Sequence, residues 1–337
     1  MMTFIRQMVL GVAAVALWAG AAAADEAKLI FADLAPPDSR VAQGIFHPWA
    51  DRINAAGVGV VHLDTRDGFA LANFDNVYSR VMDDVIQVGW ALQGAIGGKF
   101  IRSAVAGLPF VSSDCETGSV ALWRLYQSGS LGPEYTEIVP LTVTVFPQSG
   151  IHLAKPVQSL DDLRGLKMIA LGKIQSEAII ALGGAPLSVG MTEIYEALQR
   201  GTADGAVASW AAFEPTRLGD VTRYHVDTGL GTSTGMIFMA KKKFDALPEA
   251  ARKVLQDNSG EAASRRFGAY FDGDAARVRD GVKGTDKQLV VSPSDAVSAQ
   301  WRQKVEPVDA AYIAGVPDGQ AILDRYRALL AAAKTGK

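Results

Sequence analysis

The sequence lacks several features that mark common classes of protein. Cys115 is the only cysteine among 337 residues, so an internal disulfide and a cysteine-rich zinc site are both excluded. Lys and Arg (33) do not outnumber Asp and Glu (36), and no basic stripe is present, so no nucleic-acid partner is expected. A P-loop and a G-x-G-x-x-G following a strand are missing as well, and no cofactor is expected. The length predicts about two domains with a core large enough to fold without disulfides.

Motifs of enzymes and metal sites are equally scarce. The histidines are His47, His62, His152 and His225. They stand far apart without metal-ligand spacing, so no metal site is expected. Residues 231–235 match G-x-S-x-G, but a turn-like stretch precedes them and a strand is predicted after them. A hydrolase needs the reverse order, so a secreted serine hydrolase using Ser233 is kept only as a rival hypothesis, and the protein is predicted not to be an enzyme.

The N-terminal segment has the layout of an export signal. Arg6 supplies a positive charge, residues 8–20 are apolar, and Ala22 and Ala24 fit the small-residue cleavage pattern. The apolar run is short for a membrane span, which disfavours an uncleaved anchor. We therefore expect a signal peptide at residues 1–24, cleavage after Ala24, and a periplasmic protein that does not span the membrane.

Strand-like and helix-like segments alternate along the rest of the chain. Short apolar runs predict strands at 28–32, 58–63, 85–90, 141–146, 166–171, 236–240 and 288–291. A helical pattern runs from Pro248 to Val282 and is either one long helix or two helices kinked near Gly260. This alternation predicts an α/β fold with mainly parallel sheets. No linker is visible, so the chain is expected to cross between its two domains more than once.

Several segments together resemble one protein family. They are Asp162-Leu163-Arg164-Gly165-Leu166-Lys167, residues 182–186, residues 193–201, Ala203-Asp204-Gly205, Leu108-Pro109-Phe110 and residues 244–248. This set is similar to the DctP-type solute-binding proteins of TRAP (tripartite ATP-independent periplasmic) transporters. The resemblance covers most of the chain that follows the export signal.

The resemblance implies a two-lobed periplasmic binding protein with a ligand cleft between the lobes and a long helix across both. Lobe I is expected to hold residues 25–150 and 232–272, and lobe II residues 151–231 and 273–337. The protein would be a monomer that captures an organic acid and delivers it to the membrane permease subunits of the transporter. A periplasmic receptor that presents its ligand without transport is the alternative.

One departure from the family concerns the ligand. By similarity, an arginine two residues after Gly165-Leu166-Lys167 holds the ligand's carboxylate, but Ile169 occupies that place here. The ligand site implied by the resemblance comprises Phe69, Asn73, Trp90, Gln93, Phe146, Ile169, Met191, Ser209, Trp210 and Phe213. Lys173 is the first candidate for a replacement cation, with Lys155 and Arg102 as others. The apolar, aromatic walls favour an aromatic or bulky organic acid, with a neutral ligand as second choice.

Overall fold

The computed structural model describes residues 26–157 and 160–335, so the predicted export signal lies outside the described residues. The strands are β1 (Ala27–Ala32), β2 (Val61–Arg66), β3 (Val88–Leu92), β4 (Ile138–Val145), β5 (Gly150–Leu153), β6 (Lys167–Ala170), β7 (Ala185–Leu187), β8 (Gly205–Ala208), β9 (Tyr224–Val226), β10 (Thr234–Ala240) and β11 (Leu289–Val291). The α-helices are α1 (His47–Ala56), α2 (Val77–Met82), α3 (Cys115–Gln127), α4 (Lys173–Ala181), α5 (Ile194–Gln199), α6 (Trp210–Phe213), α7 (Leu218–Val221), α8 (Lys241–Ala246), α9 (Glu249–Asp257), α10 (Gly260–Lys283), α11 (Asp295–Gly315) and α12 (Gly319–Lys334). A π-helical turn, Ala42–Phe46, leads into α1.

The first sheet has the strand order β2-β1-β3-β10-β4. β1 pairs with β2 and β3 in parallel, whereas β10 is antiparallel to both of its neighbours. All seven residues of β10 are buried, which explains why this strand reads as a continuous apolar run. Two buried clusters lie on the two faces of this sheet, one of them beneath α1, α9 and the first half of α10.

The second sheet has the order β11-β9-β5-β8-β6-β7. β6 is parallel to β7 and β8, but β5 is antiparallel to β8 and β9. The prediction of mainly parallel sheets is therefore confirmed, although each sheet also contains one antiparallel strand. Both of these strands, β5 and β10, directly follow a crossing between the sheets, so they enter their sheet from the opposite end. The two sheets flanked by helices confirm the predicted two-part α/β fold.

The predicted long helix is two helices, α9 and α10, which meet at Ser259 and Gly260. Gly260 has a φ of +77°, a conformation that glycine adopts without strain. α10 packs against α3 and β4 with its first half and against α6 and β11 with its second, so it spans both sheets. A Cβ at Gly268 would lie 2.4 Å from the carbonyl oxygen of Cys115, so only glycine allows this close approach of α10 to α3. Among the described residues, no helix combines the length and apolar character needed to cross a bilayer.

The two C-terminal helices pack on different parts of the molecule. α11 contacts α4, whereas α12 contacts α3. The hydroxyl of Tyr326 on α12 donates to the carbonyl of Gly118 at 3.1 Å and lies 2.9 Å from the hydroxyl of Ser112. α12 therefore packs beside the first sheet. The division into lobes, which assigns residues 273–337 to lobe II, stays a prediction.

Candidate functional site

Two chain segments cross between the sheets side by side. The backbone N–H of Ser149 donates to the carbonyl of Gly231 at 2.8 Å, and that of Leu230 donates to the carbonyl of Ser149 at 2.9 Å. The N–H of Phe146 donates to the carbonyl of Ser233 at 3.3 Å. Ser233 leads directly into β10 and not into a helix, so the strand–turn–helix order of a hydrolase nucleophile is not formed around it.

Aromatic rings form a continuous series at the carboxyl end of the first sheet. The ring centroids of Phe69 and Phe74 lie 5.7 Å apart, those of Phe74 and Trp90 5.6 Å, and those of Trp90 and Phe146 6.3 Å. Phe146 also meets Phe271 of α10 at 4.7 Å. Phe69 is 51% exposed, while Trp90 and Phe146 are half-buried. The structure thus brings together three predicted ligand residues, through a ring, Phe74, that the sequence analysis did not include.

Two predicted polar contacts have structural partners of their own. The side-chain oxygen of Asn73 accepts the backbone N–H groups of Asp75 and Asn76 at 3.0 and 3.1 Å, which closes the loop before α2. Gln93 is buried and donates to the hydroxyl of Tyr135 at 2.6 Å. Its Oε1 atom is buried without a hydrogen-bond partner in the described part of the chain. Of the two amides, only Gln93 therefore keeps an unused acceptor.

On the second sheet, Ile169 is fully buried in a small apolar cluster. Trp210 and Phe213 of α6 belong to the same cluster, and Met191 packs against it. The indole N–H of Trp210 donates to Asp227 at 3.1 Å. Three of the predicted ligand residues therefore lie in one buried cluster beneath the second half of α10.

Ser209 connects this cluster to the end of β8. It is half-buried and immediately precedes α6, with its backbone in an extended conformation. Its position beside the carboxyl end of a parallel strand is typical of ligand sites in α/β proteins.

A histidine pair borders the same cluster. β5 and β9 place His152 opposite His225, and their Nδ1 atoms lie 2.9 Å apart. The ring of Trp210 meets that of His152 edge-on at 5.0 Å. His152 Nε2 lies 3.0 Å from the carbonyl of Ala208, and His225 Nε2 lies 2.8 Å from Gln288 Oε1. Burial lowers the pKa of His152 to about 3 and also lowers the pKa of His225, so both rings are neutral at pH 7.

The candidate cations differ in their surroundings. The side chain of Lys173, at the start of α4, is 86% exposed and lies 3.7 Å from Glu177, one turn later. Lys155 is exposed as well. Arg102 is mostly buried and lies 3.6 Å from Asp318 near the C-terminal helices. Lys173 is thus the candidate that lies beside the carboxyl end of a strand of the second sheet, next to β6.

A second polar cluster lies at the carboxyl end of the first sheet. The register pairs 27–32 with 61–66 one to one, so the next residues along both strands, Asp33 and Asp67, come side by side. His47 Nε2 lies 2.7 Å from Asp67 Oδ1 and 3.6 Å from Asp33 Oδ2. Burial raises the pKa of Asp33 to about 7; the N–H of Ala35 acts in the opposite direction. The sequence analysis missed this cluster, although the equal offset of both aspartates from their strand ends was a usable signal.

Two surface cavities lie away from these clusters. One of about 130 Å³ is lined by residues that include Asp161, Arg164 and Lys304. Another of about 450 Å³ lies beside the starts of β1 and β2 and is lined by residues that include His62 and Lys243. Neither is lined by a residue of the predicted ligand set, and the carboxyl ends of the two sheets remain the candidate site.

Comparison with known proteins identifies relatives along nearly the whole chain. The family model DctP, described as "Bacterial extracellular solute-binding protein, family 7", matches residues 31–314. The outer membrane transporter protein TsaT of Comamonas testosteroni is 27% identical over 324 residues, 93% of this chain and 94% of that protein. The C4-dicarboxylate-binding periplasmic protein DctP of Rhodobacter capsulatus is 26% identical over 211 residues, 60% of this chain and 61% of that protein. A TRAP solute-binding protein from Rhodoferax ferrireducens T118, crystallised with copurified benzoate, superposes with a TM-score of 0.85 at 25% identity, covering 92% of this chain and 99% of that chain.

Proposed function

Since the chain belongs to the DctP family of bacterial extracellular solute-binding proteins, which serve TRAP transporters as receptors for small organic acids, we propose that its ligand is a small aromatic acid. The family consists of binding proteins and not of enzymes. The relative from Rhodoferax ferrireducens was crystallised with benzoate, and this chain shares its fold. Delivery of the acid to TRAP membrane permease subunits, and export with cleavage after Ala24, are part of the proposal.

The observation that carries this proposal is the series of rings at the carboxyl end of the first sheet. Each ring in the series contacts the next, in the order Phe69, Phe74, Trp90 and Phe146. The ring of Phe69 is half exposed to solvent. A further aromatic ring that stacks on such a series gains about 0.5–1.5 kcal/mol per ring pair beyond the burial of its surface. A linear dicarboxylate gains nothing comparable from these walls.

The second sheet supplies the specificity against dicarboxylates. Ile169 stands in place of the arginine that the family uses as a carboxylate clamp, and it offers no hydrogen-bond donor. We assign the single carboxylate of the ligand to Lys173 at the start of α4, after lobe closure. On this side, the proposed apolar wall comprises Met191, Trp210 and Phe213, with the hydroxyl of Ser209 beside it. On the other side, the polar part of the proposed site comprises Asn73 and Gln93.

Closure requires that the two parts of the chain move relative to each other. We propose lobe I as residues 25–150 with 232–272, and lobe II as residues 151–231 with 273–337. The paired crossing segments near Ser149 and Gly231 support this division, because short adjacent connections are suited to act as a hinge. By this division α12 belongs to lobe II and contacts α3 of lobe I, so it crosses the boundary between the lobes.

Titration calorimetry tests the ligand class directly. Benzoate and mandelate should bind the purified protein, whereas succinate and malate should bind in the millimolar range or weaker, about −4 kcal/mol. Tight succinate binding with no heat from the aromatic acids would overturn the proposal.

A matched pair of variants tests the ring series. Phe69→Ala removes a half-exposed ring from the series and should weaken benzoate binding about tenfold, which corresponds to ~1.4 kcal/mol. Ile180→Ala removes a side chain of similar exposure (60%) on α4 and should leave the affinity unchanged. Equal affinities for the two variants would place the ligand elsewhere.

A further inference from the structure

We propose that Asp33, His47 and Asp67 form a binding site for one divalent transition-metal ion, such as Zn²⁺ or Mn²⁺. This inference goes beyond the proposed function, because it does not depend on which acid the protein binds. The three side chains come from three segments: the loop after β1, the first residue of α1 and the loop after β2. Each offers one ligand atom, and these atoms all lie within 4.8 Å of one another.

The distances suit a shared ion. Zn²⁺ binds imidazole nitrogen and carboxylate oxygen at about 2.0–2.2 Å, so two such ligands on one ion lie roughly 3–3.5 Å apart. His47 Nε2 lies 2.7 Å from Asp67 Oδ1 and 3.6 Å from Asp33 Oδ2. Small side-chain rotations of His47 and Asp67, which are 25% and 23% exposed, are enough to equalise these distances.

Asp33 provides an independent indication of a bound cation. Its side chain is fully buried, and its Oδ2 atom has no hydrogen-bond partner among the described residues. The other oxygen, Oδ1, accepts the backbone N–H of Ala35 at 2.9 Å, which holds the carboxylate so that Oδ2 is directed toward His47. The imidazole of His47, 3.6 Å away, is too far to form a hydrogen bond with this oxygen, and a metal ion between the two groups would bind both.

The donor set and the charge select the class of metal. Metal ligands bind in their deprotonated forms, and two aspartates that lose their protons on binding supply two negative charges, which a divalent cation balances. Ca²⁺ and Mg²⁺ prefer all-oxygen ligands, whereas a mixed nitrogen and oxygen set suits Zn²⁺ or Mn²⁺. Because His47 and Asp67 are partly exposed, an ion could reach the site from solvent.

Calorimetric titration of the chelator-treated exported protein with ZnCl₂ and with MnCl₂ tests this site. We expect one ion per chain for at least one of the two metals. His47→Gln and Asp67→Asn should each weaken binding by at least about tenfold. The matched controls are His62→Gln and Asp64→Asn, which change the same residue types on β2 and should leave binding unchanged.

A measurement on the unmutated protein removes the dependence on how the variants fold. In nitrogen-15 spectra, Zn²⁺ should shift the imidazole signals of His47 and leave those of His62 in place. Absence of binding, binding that survives both His47→Gln and Asp67→Asn, or a shift confined to another histidine would each overturn the proposal.

Discussion

By similarity, an arginine is expected at position 169, and Ile169→Arg places that residue type in surroundings that are packed around isoleucine. Ile169 lies on β6 and is fully buried, in a cluster with Trp210, Phe213 and Ala275 of α10. Removing its side chain from this cluster forfeits about 1.5–3 kcal/mol of apolar burial. An unpaired guanidinium in the same place adds about 3–5 kcal/mol of uncompensated charge.

We therefore expect Ile169→Arg to lower the free energy of unfolding by at least ~4 kcal/mol, a large part of the usual total of about 5–15 kcal/mol. Ile169→Met is the matched control, since it is long and unbranched but uncharged, and it should cost less than about 1.5 kcal/mol. Urea denaturation followed by tryptophan fluorescence measures both values. The difference between the two variants isolates the effect of the charge.

The same variants report on the ligand. Ile169→Arg should weaken the binding of benzoate, because the larger side chain crowds the cluster behind Trp210. The reasoning is refuted if the arginine variant is as stable as the methionine variant and binds succinate at least tenfold more tightly than the unmutated protein does. That result would mean that position 169 opens into the cleft and that the arginine clamp can form there.

Three further predictions concern processing, motion and pH. The exported protein should begin at Asp25, and an intact mass that retains Met1 would contradict both export and transport. Small-angle scattering should give a smaller radius of gyration with saturating benzoate than without it; an unchanged radius would argue against lobe closure. Because burial lowers the pKa of His152 to about 3, the native state binds fewer protons than the unfolded state below the ordinary histidine pKa of 6.5. The free energy of unfolding should thus fall by up to about 1.4 kcal/mol per pH unit as the pH is lowered from 6.5 to 3, and a folded His152→Gln variant should lose part of this dependence. If urea denaturation gives both proteins the same change in the free energy of unfolding between pH 7 and 5, the prediction is contradicted.

The family and the fold were predictable because their signals are local. The apolar runs at 28–32 and 236–240 correspond to β1 and β10, and the family resemblance is confirmed by the family model over residues 31–314. The short strands β5, β7, β8 and β9 were missed, since a run of three or four residues is too short for a periodic pattern. In addition, His152 interrupts the apolar pattern of β5, and Pro186 is a residue that rarely occurs in strands.

The candidate site was less predictable because its geometry depends on pairing between distant segments. Phe69, Trp90 and Phe146 were identified through the resemblance, and the structure brings their rings together. The contact of His47 with Asp33 and Asp67 depends on the register of β1 against β2, which no local pattern encodes. For the same reason, the sequence gives no hint that Gly268 sits against the start of α3.

The strand pairing of the second sheet links position 169 to the histidine pair. Ile169 lies opposite Ala206, Ala206 opposite His152, and His152 opposite His225, so these four side chains form one row on the same face. With strands about 4.8 Å apart, position 169 lies roughly 10 Å from His152, with only an alanine between them. A guanidinium at 169 would extend over that alanine toward His152 and disfavour any protonation of the imidazole pair.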